Sequence, residues 1–224
     1  MRNVAFIACL LVALLAGCGE DDATDESTAS NCWSDDEVAA RNADDQPAQW
    51  NTAPNMVIDE EGVYRAVLET SDGEITLELL PNAAPATVNN FVCLARAGYF
   101  DGTPFHRIVA GFVIQGGDPT GTGTGGPGYR FDDEPVQGEY VAGTVAMANA
   151  GTDTNGSQFF IILGDQTQTL PKNYNLFGRV IDGQAVVDTI AQTPTQANAR
   201  GEMSVPIEEV ILERVTIEEG ANST

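Results

Sequence analysis

Arg107 is the one cation in the run Phe105-His106-Arg107-Ile108-Val109-Ala110-Gly111-Phe112-Val113-Ile114-Gln115-Gly116-Gly117-Asp118. A second informative stretch, Ala146-Met147-Ala148-Asn149-Ala150-Gly151 continuing to Thr154-Asn155-Gly156-Ser157-Gln158-Phe159-Phe160-Ile161, holds no cation. Both mix bulky apolar residues with uncharged amides that donate and accept hydrogen bonds. Neither holds a nucleophile–base pair or a carboxylate dyad. A groove built this way is apolar with a few oriented donors, and suits a peptide better than a phosphate or a metal.

The other chemically suggestive residues are weaker candidates. His106 is the sole His, so a multi-His metal site is impossible. A Ser-His-Asp site would need it, but no nucleophile elbow is present. A lone His beside strand residues is read as packed and structural. Four Cys without a CxxC pair give no zinc framework, and no metal site or cofactor is expected. Gly121-Thr122-Gly123-Thr124-Gly125-Gly126 satisfies GxGxxG, but Pro127 and Gly128 follow, so no helix N-terminus is available for a pyrophosphate. It is read as a tight loop beside the groove.

The 224 residues carry 33 Asp and Glu against 10 Lys and Arg, a formal net charge of −23. Nucleic-acid binding rests on Lys and Arg neutralising phosphates, so that class is excluded. Apolar residues make up 42%, so the whole chain is not disordered. The charge is uneven. Residues 1–62 hold 13 acids and two bases, and residues 63–224 hold 20 acids and eight bases. The contrast predicts an acidic tail ahead of a moderately acidic domain.

The elements that must position the two runs follow from periodicity. Residues 63–68 and 74–79 are strand-like, and Ser71-Asp72-Gly73 between them is a hairpin signal. Pro85 opens a helix in which Val88, Phe91, Val92 and Ala95 recur at helical spacing, and Gly98 stops it. Further strands are expected at 105–109, 112–116, 141–147, 158–163, 175–181 and 207–217, and a second helix at 184–191. Many short strands with only two helices point to a mainly β fold and a closed barrel, because closure removes exposed edges.

The N-terminus has a different character. Arg2 precedes an apolar run from Val4 to Ala16, too short to span a bilayer of roughly 30 Å as a helix. A positive start, a short apolar core and small residues at its end make a secretory signal. Its end, Leu15-Ala16-Gly17-Cys18, resembles the bacterial lipoprotein signal box. That resemblance implies removal of residues 1–17 and lipidation of Cys18. With Gly19 next, it also implies an outer-membrane destination where two membranes exist. The expected place is the cell envelope, facing the periplasm or exterior, with the bilayer held through Cys18. Residues 18–55 are acidic and lack apolar periodicity, and are expected to form a flexible tether. Export permits a disulfide between Cys32 and Cys93, while a plain buried thiol at Cys93 is the alternative.

The two runs resemble the signature motifs of the cyclophilins, the barrel-fold peptidyl-prolyl isomerases. Ala84-Pro85-Ala86-Thr87-Val88-Asn89-Asn90-Phe91, Gly123-Thr124-Gly125-Gly126 and Leu176-Phe177-Gly178-Arg179-Val180 match in the same order, and the similarity extends over roughly 63–218. It implies a closed eight-stranded barrel capped by two helices, within a domain at 56–220 and followed by a short tail at 221–224. It implies cofactor-free isomerisation of X–Pro bonds in exported proteins by a monomer. Arg107 is then the catalytic residue; its planar fork stays charged and can hold several acceptors. Gln115 and the Asn149 backbone hold the substrate on either side of the bond. Phe112, Val113, Phe160 and Leu170 line the proline pocket, and Ala148 and Gln158 border the neighbouring groove.

The chain departs from the family pattern at a few positions. Ala110 and Val113 stand where Pro and Met are usual, both mild changes. Thr169 stands where drug-binding members hold Trp, and Tyr174 stands at the usual pocket His. Tyr174 keeps a ring and a polar tip. Thr169 removes a large apolar wall and an indole donor, so weak cyclosporin binding with retained isomerase activity is expected.

Overall fold

The computed structural model describes residues 32–34 and 48–220. The expected signal segment 1–17, Cys18, most of the tether and the tail at 221–224 lie outside the described residues.

The first strands among the described residues are β1 (Val63–Thr70) and β2 (Gly73–Leu79), paired antiparallel with Leu68 opposite Ile75 and Ala66 opposite Leu77. The alternation in the sequence sends these four side chains to one buried face. Helix α1 (Pro85–Arg96) follows, with Pro at its start and Gly98 in the left-handed region at its end. The Glu134 carboxylate caps the first turn, accepting from the Ala86 and Thr87 backbone N–H groups, both at 2.9 Å. Thr87 to Ala95 are all buried, more than one apolar stripe requires, because α1 is covered on two sides. Its buried amides are satisfied: Asn89 bonds Val57 N and Asn55 O, and Asn90 bonds Gly156 O and the Tyr129 hydroxyl.

The remaining strands are β3 (Thr103–Pro104), β4 (Arg107–Val109), β5 (Val113–Gly116), β6 (Thr144–Met147), β7 (Phe159–Ile162), β8 (Leu176–Asp182), β9 (Thr195–Ala197), β10 (Met203–Pro206) and β11 (Ile211–Gly220). Helix α2 (Gln184–Ile190) lies between β8 and β9 and buries Val187 and Ile190. Nine strands form one sheet in the order β3-β11-β1-β2-β8-β6-β7-β5-β4, and β9 and β10 form a separate hairpin. Both ends of the sheet order, β3 and β4, are joined by Phe105 and His106 alone. The sheet is therefore strongly curled, because two intervening residues cannot bridge an open one. Among the described residues, the mainly β structure with two helices is what the sequence predicts.

Several boundaries differ from expectation. The strand expected at 105–109 starts at Arg107, and Phe105 N bonds Val210 O instead of continuing the β4 ladder. The strand expected at 141–147 starts at Thr144, after Gly143 at φ 84°. The strand expected at 207–217 is shifted to Ile211–Gly220. Pro206 ends β10, and Ile207 N turns back to Pro194 O. The β9–β10 hairpin was not expected, because its short strands show little apolar alternation.

Alternation separates two apolar cores. Ile114, Phe159 and Ile161 point into the main core with Phe91, Phe100 and Phe177. Val113, Phe160 and Ile162 point the other way and join Tyr140, Ala146 and Leu176 in a second cluster. Phe112, Ala148, Leu170 and Tyr174 pack against that second cluster.

Parts of the segment expected as a tether lie on this body. Cys32, Trp33 and Trp50 are 0%, 3% and 3% exposed. Cys32 is joined by a disulfide to Cys93 of α1, with Cα atoms 5.8 Å apart. Trp50 N donates to Pro127 O at 2.8 Å, and Asn55 N donates to Cys32 O at 2.8 Å. Two indole rings that bury this well supply the apolar area that the acidic surroundings lack.

Candidate active site

The second core is the floor of a groove. Arg107 on β4 pairs with Gln115 on β5, Gln115 pairs with Phe160 on β7, and Phe160 pairs with Ala146 on β6. Directly paired residues present their side chains on the same face, so Arg107, Gln115 and Phe160 form a row across three strands. Val113 sits two residues before Gln115, on that same face.

A continuous hydrogen-bond chain fixes the polar groups. Arg107 Nε donates to Glu202 Oε2 at 2.9 Å, and Nη2 donates to Oε1 at 2.7 Å. Arg107 Nη1 donates to Gln115 Oε1 at 3.3 Å. Gln115 Nε2 donates to Gln158 Oε1 at 2.9 Å, and Gln158 Nε2 donates to Gly125 O at 2.9 Å. Arginine has no acceptor, so its end sets the direction of both amides along the chain. The guanidinium carbon also lies 5.7 Å from the centroid of the Phe112 ring, a cation–π contact.

Two adjoining cavities lie over this floor. One, of about 790 Å³, is lined by Arg107, Phe112, Val113, Gln115, Ala148, Asn149, Phe160, Leu170 and Tyr174. The other, of about 800 Å³, is lined by Gln158 and shares Gln115, Gly123, Thr124, Ala148 and Asn149 with the first. Every site residue expected in the groove therefore lines one cavity or the other. The Phe160 and Tyr174 rings meet edge to face with centroids 5.5 Å apart. Asn149 Nδ2 donates to Asn173 O at 2.8 Å, tying the loop after β6 to the segment carrying Tyr174. Thr169 is exposed and its hydroxyl donates to Gln166 Oε1 at 2.6 Å.

The glycine-rich loop forms the shared wall and is wrapped around Asp118. Asp118 is fully buried, and its carboxylate accepts from Thr120 N, Gly123 N and Gly125 N. A Cβ on Gly125 would stand 2.0 Å from Asp118 Oδ1, so only glycine lets the backbone approach this closely. Burial raises the Asp118 pKa, but the bonds from Thr120, Gly125 and Gly123 together outweigh it and leave the carboxyl below its ordinary value. His106 lies under the same loop, 3.6 Å from the position of a Gly123 Cβ. Burial is the main force on its ring and lowers its pKa.

Some lining residues had not been anticipated from sequence. Asn198, Ala199, Arg200 and Glu202 of the β9–β10 hairpin wall the first cavity. Gln49 and Arg130 wall the second. The turn signal Asn198-Ala199-Arg200-Gly201 marks the hairpin, but nothing local ties Glu202 to Arg107. The hydrogen bonds from Arg107 are the largest influence on the Glu202 carboxyl, whose pKa is drawn down to about 2.

Comparison with known proteins gives one consistent result. A family model described as cyclophilin type peptidyl-prolyl cis-trans isomerase/CLD matches residues 65–216. The chain is 46% identical over 172 residues to peptidyl-prolyl cis-trans isomerase B of Streptomyces anulatus, covering 68% of this chain and 95% of that one. It is 45% identical over 171 residues to peptidyl-prolyl cis-trans isomerase A of Mycobacterium tuberculosis, covering 68% and 91%. A crystal structure of a cyclophilin-type isomerase from Cryptosporidium parvum superposes with a TM-score of 0.64 at 36% identity, covering 71% of this chain and 99% of that one. A second structure of that protein was determined in the presence of the dipeptide Ala-Pro, and superposes with a TM-score of 0.63 at 36% identity, covering 70% and 99%.

Proposed function

The chain belongs to the cyclophilin-type peptidyl-prolyl cis-trans isomerase family, and from that premise we propose how its groove turns an X–Pro bond. The reaction breaks no covalent bond. The planar amide resists rotation by about 18–20 kcal/mol because the nitrogen lone pair is conjugated to the carbonyl. Uncatalysed exchange takes roughly 10–100 s. A catalyst must bind the twisted amide better than either planar form. A 10⁵-fold acceleration corresponds to about 7 kcal/mol.

Arg107 is the catalytic residue of this reading. Rotation returns the lone pair to the prolyl nitrogen, which becomes a hydrogen-bond acceptor only in the twisted state. A fixed guanidinium N–H aimed there stabilises the transition state without binding the ground state more tightly. The observation that carries this reading is the row of Arg107, Gln115 and Phe160 on one face of three paired strands. The row sets a charged donor beside an amide and an apolar floor. Phe112, Val113, Phe160 and Leu170 hold the proline ring, with Tyr174 closing the edge. Gln115 and the Asn149 backbone hold the chain on either side of the bond, while Ala148 and Gln158 border the second cavity.

Titration with an Ala-Pro peptide followed by amide chemical shifts tests this assignment. Phe112, Gln115, Ala148, Asn149 and Phe160 are expected to shift together. Shifts confined to another face would remove the groove from the account.

The barrel closes on this reading as well. Taking β3, Phe105, His106 and β4 as one bent strand turns the observed order into eight strands in a ring. The clients are proline-containing segments of exported proteins, and the protein acts as a monomer. The Leu15-Ala16-Gly17-Cys18 motif supports anchoring in the bacterial envelope through lipidated Cys18. Replacing Cys18 by Ser is expected to abolish incorporation of labelled fatty acid, and undiminished labelling would contradict it.

A further inference from the structure

Glu202 takes up two of the five N–H donors of Arg107, and Gln115 takes up a third. The bonds to Glu202 use the side of the guanidinium that carries Nε and Nη2. The bond to Gln115 leaves Nη1. One N–H on each terminal nitrogen remains unused by these partners. Both partners thus fix the plane of the guanidinium at the wall of the cavity that Arg107 lines, with two N–H groups uncommitted.

The turn of the hairpin that delivers Glu202 is organised around Asn198. Asn198 Oδ1 accepts from Arg200 N at 2.9 Å and from Glu202 N at 3.1 Å. Asn198 Nδ2 reaches Glu202 Oε2 at 3.3 Å and Ser204 Oγ at 3.2 Å. Gly201 takes φ 83°, the left-handed turn that brings the strand back. Asn198 therefore clamps both the backbone and the carboxylate of Glu202, and the carboxylate clamps Arg107.

We propose that Glu202 is a positioning residue for isomerisation, holding the Arg107 guanidinium so that its uncommitted N–H groups face the rotating prolyl bond. The inference rests on the catalytic assignment of Arg107. An arginine without this partner samples several rotamers, and only some aim a donor at the prolyl nitrogen. Loss of Glu202 should therefore lower turnover and leave peptide binding almost intact, because the proline pocket is built by other residues.

The test is a double-mutant cycle with Glu202→Ala, Arg107→Ala and the double variant, measuring kcat and the Kd of an X–Pro peptide. Glu202→Ala is expected to lower kcat about tenfold and to change Kd by less than about twofold. Glu202→Gln keeps one carbonyl acceptor and should fall between Glu202→Ala and wild type. In the Arg107→Ala background, removal of Glu202 should cause no further loss. An unchanged kcat in Glu202→Ala beside a deficient Arg107→Ala would overturn the role of Glu202 alone. So would a raised kcat, which would make Glu202 a competitor for the donor. Full activity in Arg107→Ala would overturn the catalytic assignment itself.

Discussion

The indole rings of Trp33 and Trp50 stack with centroids 4.3 Å apart and planes 15° from parallel. Trp33 is next to Cys32, which is bonded to α1, and Trp50 is next to Gln49, which lines the second cavity. The stack therefore connects a covalent anchor to a wall of the groove. The disulfide closes a separation of 61 residues, and its removal is expected to cost about 4 kcal/mol through the freedom returned to the unfolded chain. Denaturant unfolding should show a lower midpoint for Cys93→Ser, or for the reduced protein, with earlier exposure of tryptophan fluorescence. An unchanged midpoint would contradict this.

Gly125→Ala should damage the loop more than its single methyl suggests. The new Cβ would collide with the buried Asp118 carboxylate at 2.0 Å, and moving that carboxylate would break its bonds from Thr120 N, Gly123 N and Gly125 N. A loss of about 2 kcal/mol in stability is expected, with weaker binding of peptides longer than the X–Pro unit. Thermal unfolding and peptide titration would detect both.

Stability should fall on the acid side. The Glu202 carboxyl has its pKa drawn from 4.5 to about 2 by Arg107, and Asp118 is also held below its ordinary value. A group depressed on folding contributes stability above its unfolded pKa and loses it as pH falls through the folded value. The contribution of these two groups to the melting temperature should thus be full and level above about pH 5 and decline from roughly pH 4.5 towards 2. Glu202→Gln should flatten part of that decline. A decline of the same size in Glu202→Gln would sink this attribution.

Cyclosporin should bind weakly. Thr169 is exposed, and its hydroxyl donates to Gln166 Oε1. Weak inhibition, about micromolar, is expected, and Thr169→Trp should tighten it. Nanomolar inhibition of the unaltered protein would contradict the prediction.

Much of the site was legible in sequence because strand periodicity carries it. The alternation Val113-Ile114-Gln115 assigns Ile114 to the inner core and its neighbours to the groove, and Phe159-Phe160-Ile161 does the same on the adjacent strand. Motif resemblance then separated groove residues from ordinary core. Glu202 was not legible, because its partner is 95 residues away and the hairpin between them has no strong pattern. Trp33 beside Cys32 is legible as an anchoring patch, whereas the packing of Trp50 was hidden for another reason. Two buried indoles outweigh the many acidic neighbours that make residues 18–55 look solvated. The late start of the strand expected at 105–109 also escaped, since Phe105 N is taken by Val210 O, a residue far along the chain.

The central claim is that Arg107 accelerates prolyl rotation. The most direct measurement is an isomerisation assay on an X–Pro peptide, comparing the purified protein with Arg107→Ala. Loss of one preorganised donor is expected to lower kcat/KM by about 10²- to 10³-fold, with folding unchanged. A wild-type rate no faster than the uncatalysed background, or an Arg107→Ala rate equal to wild type, would contradict the account.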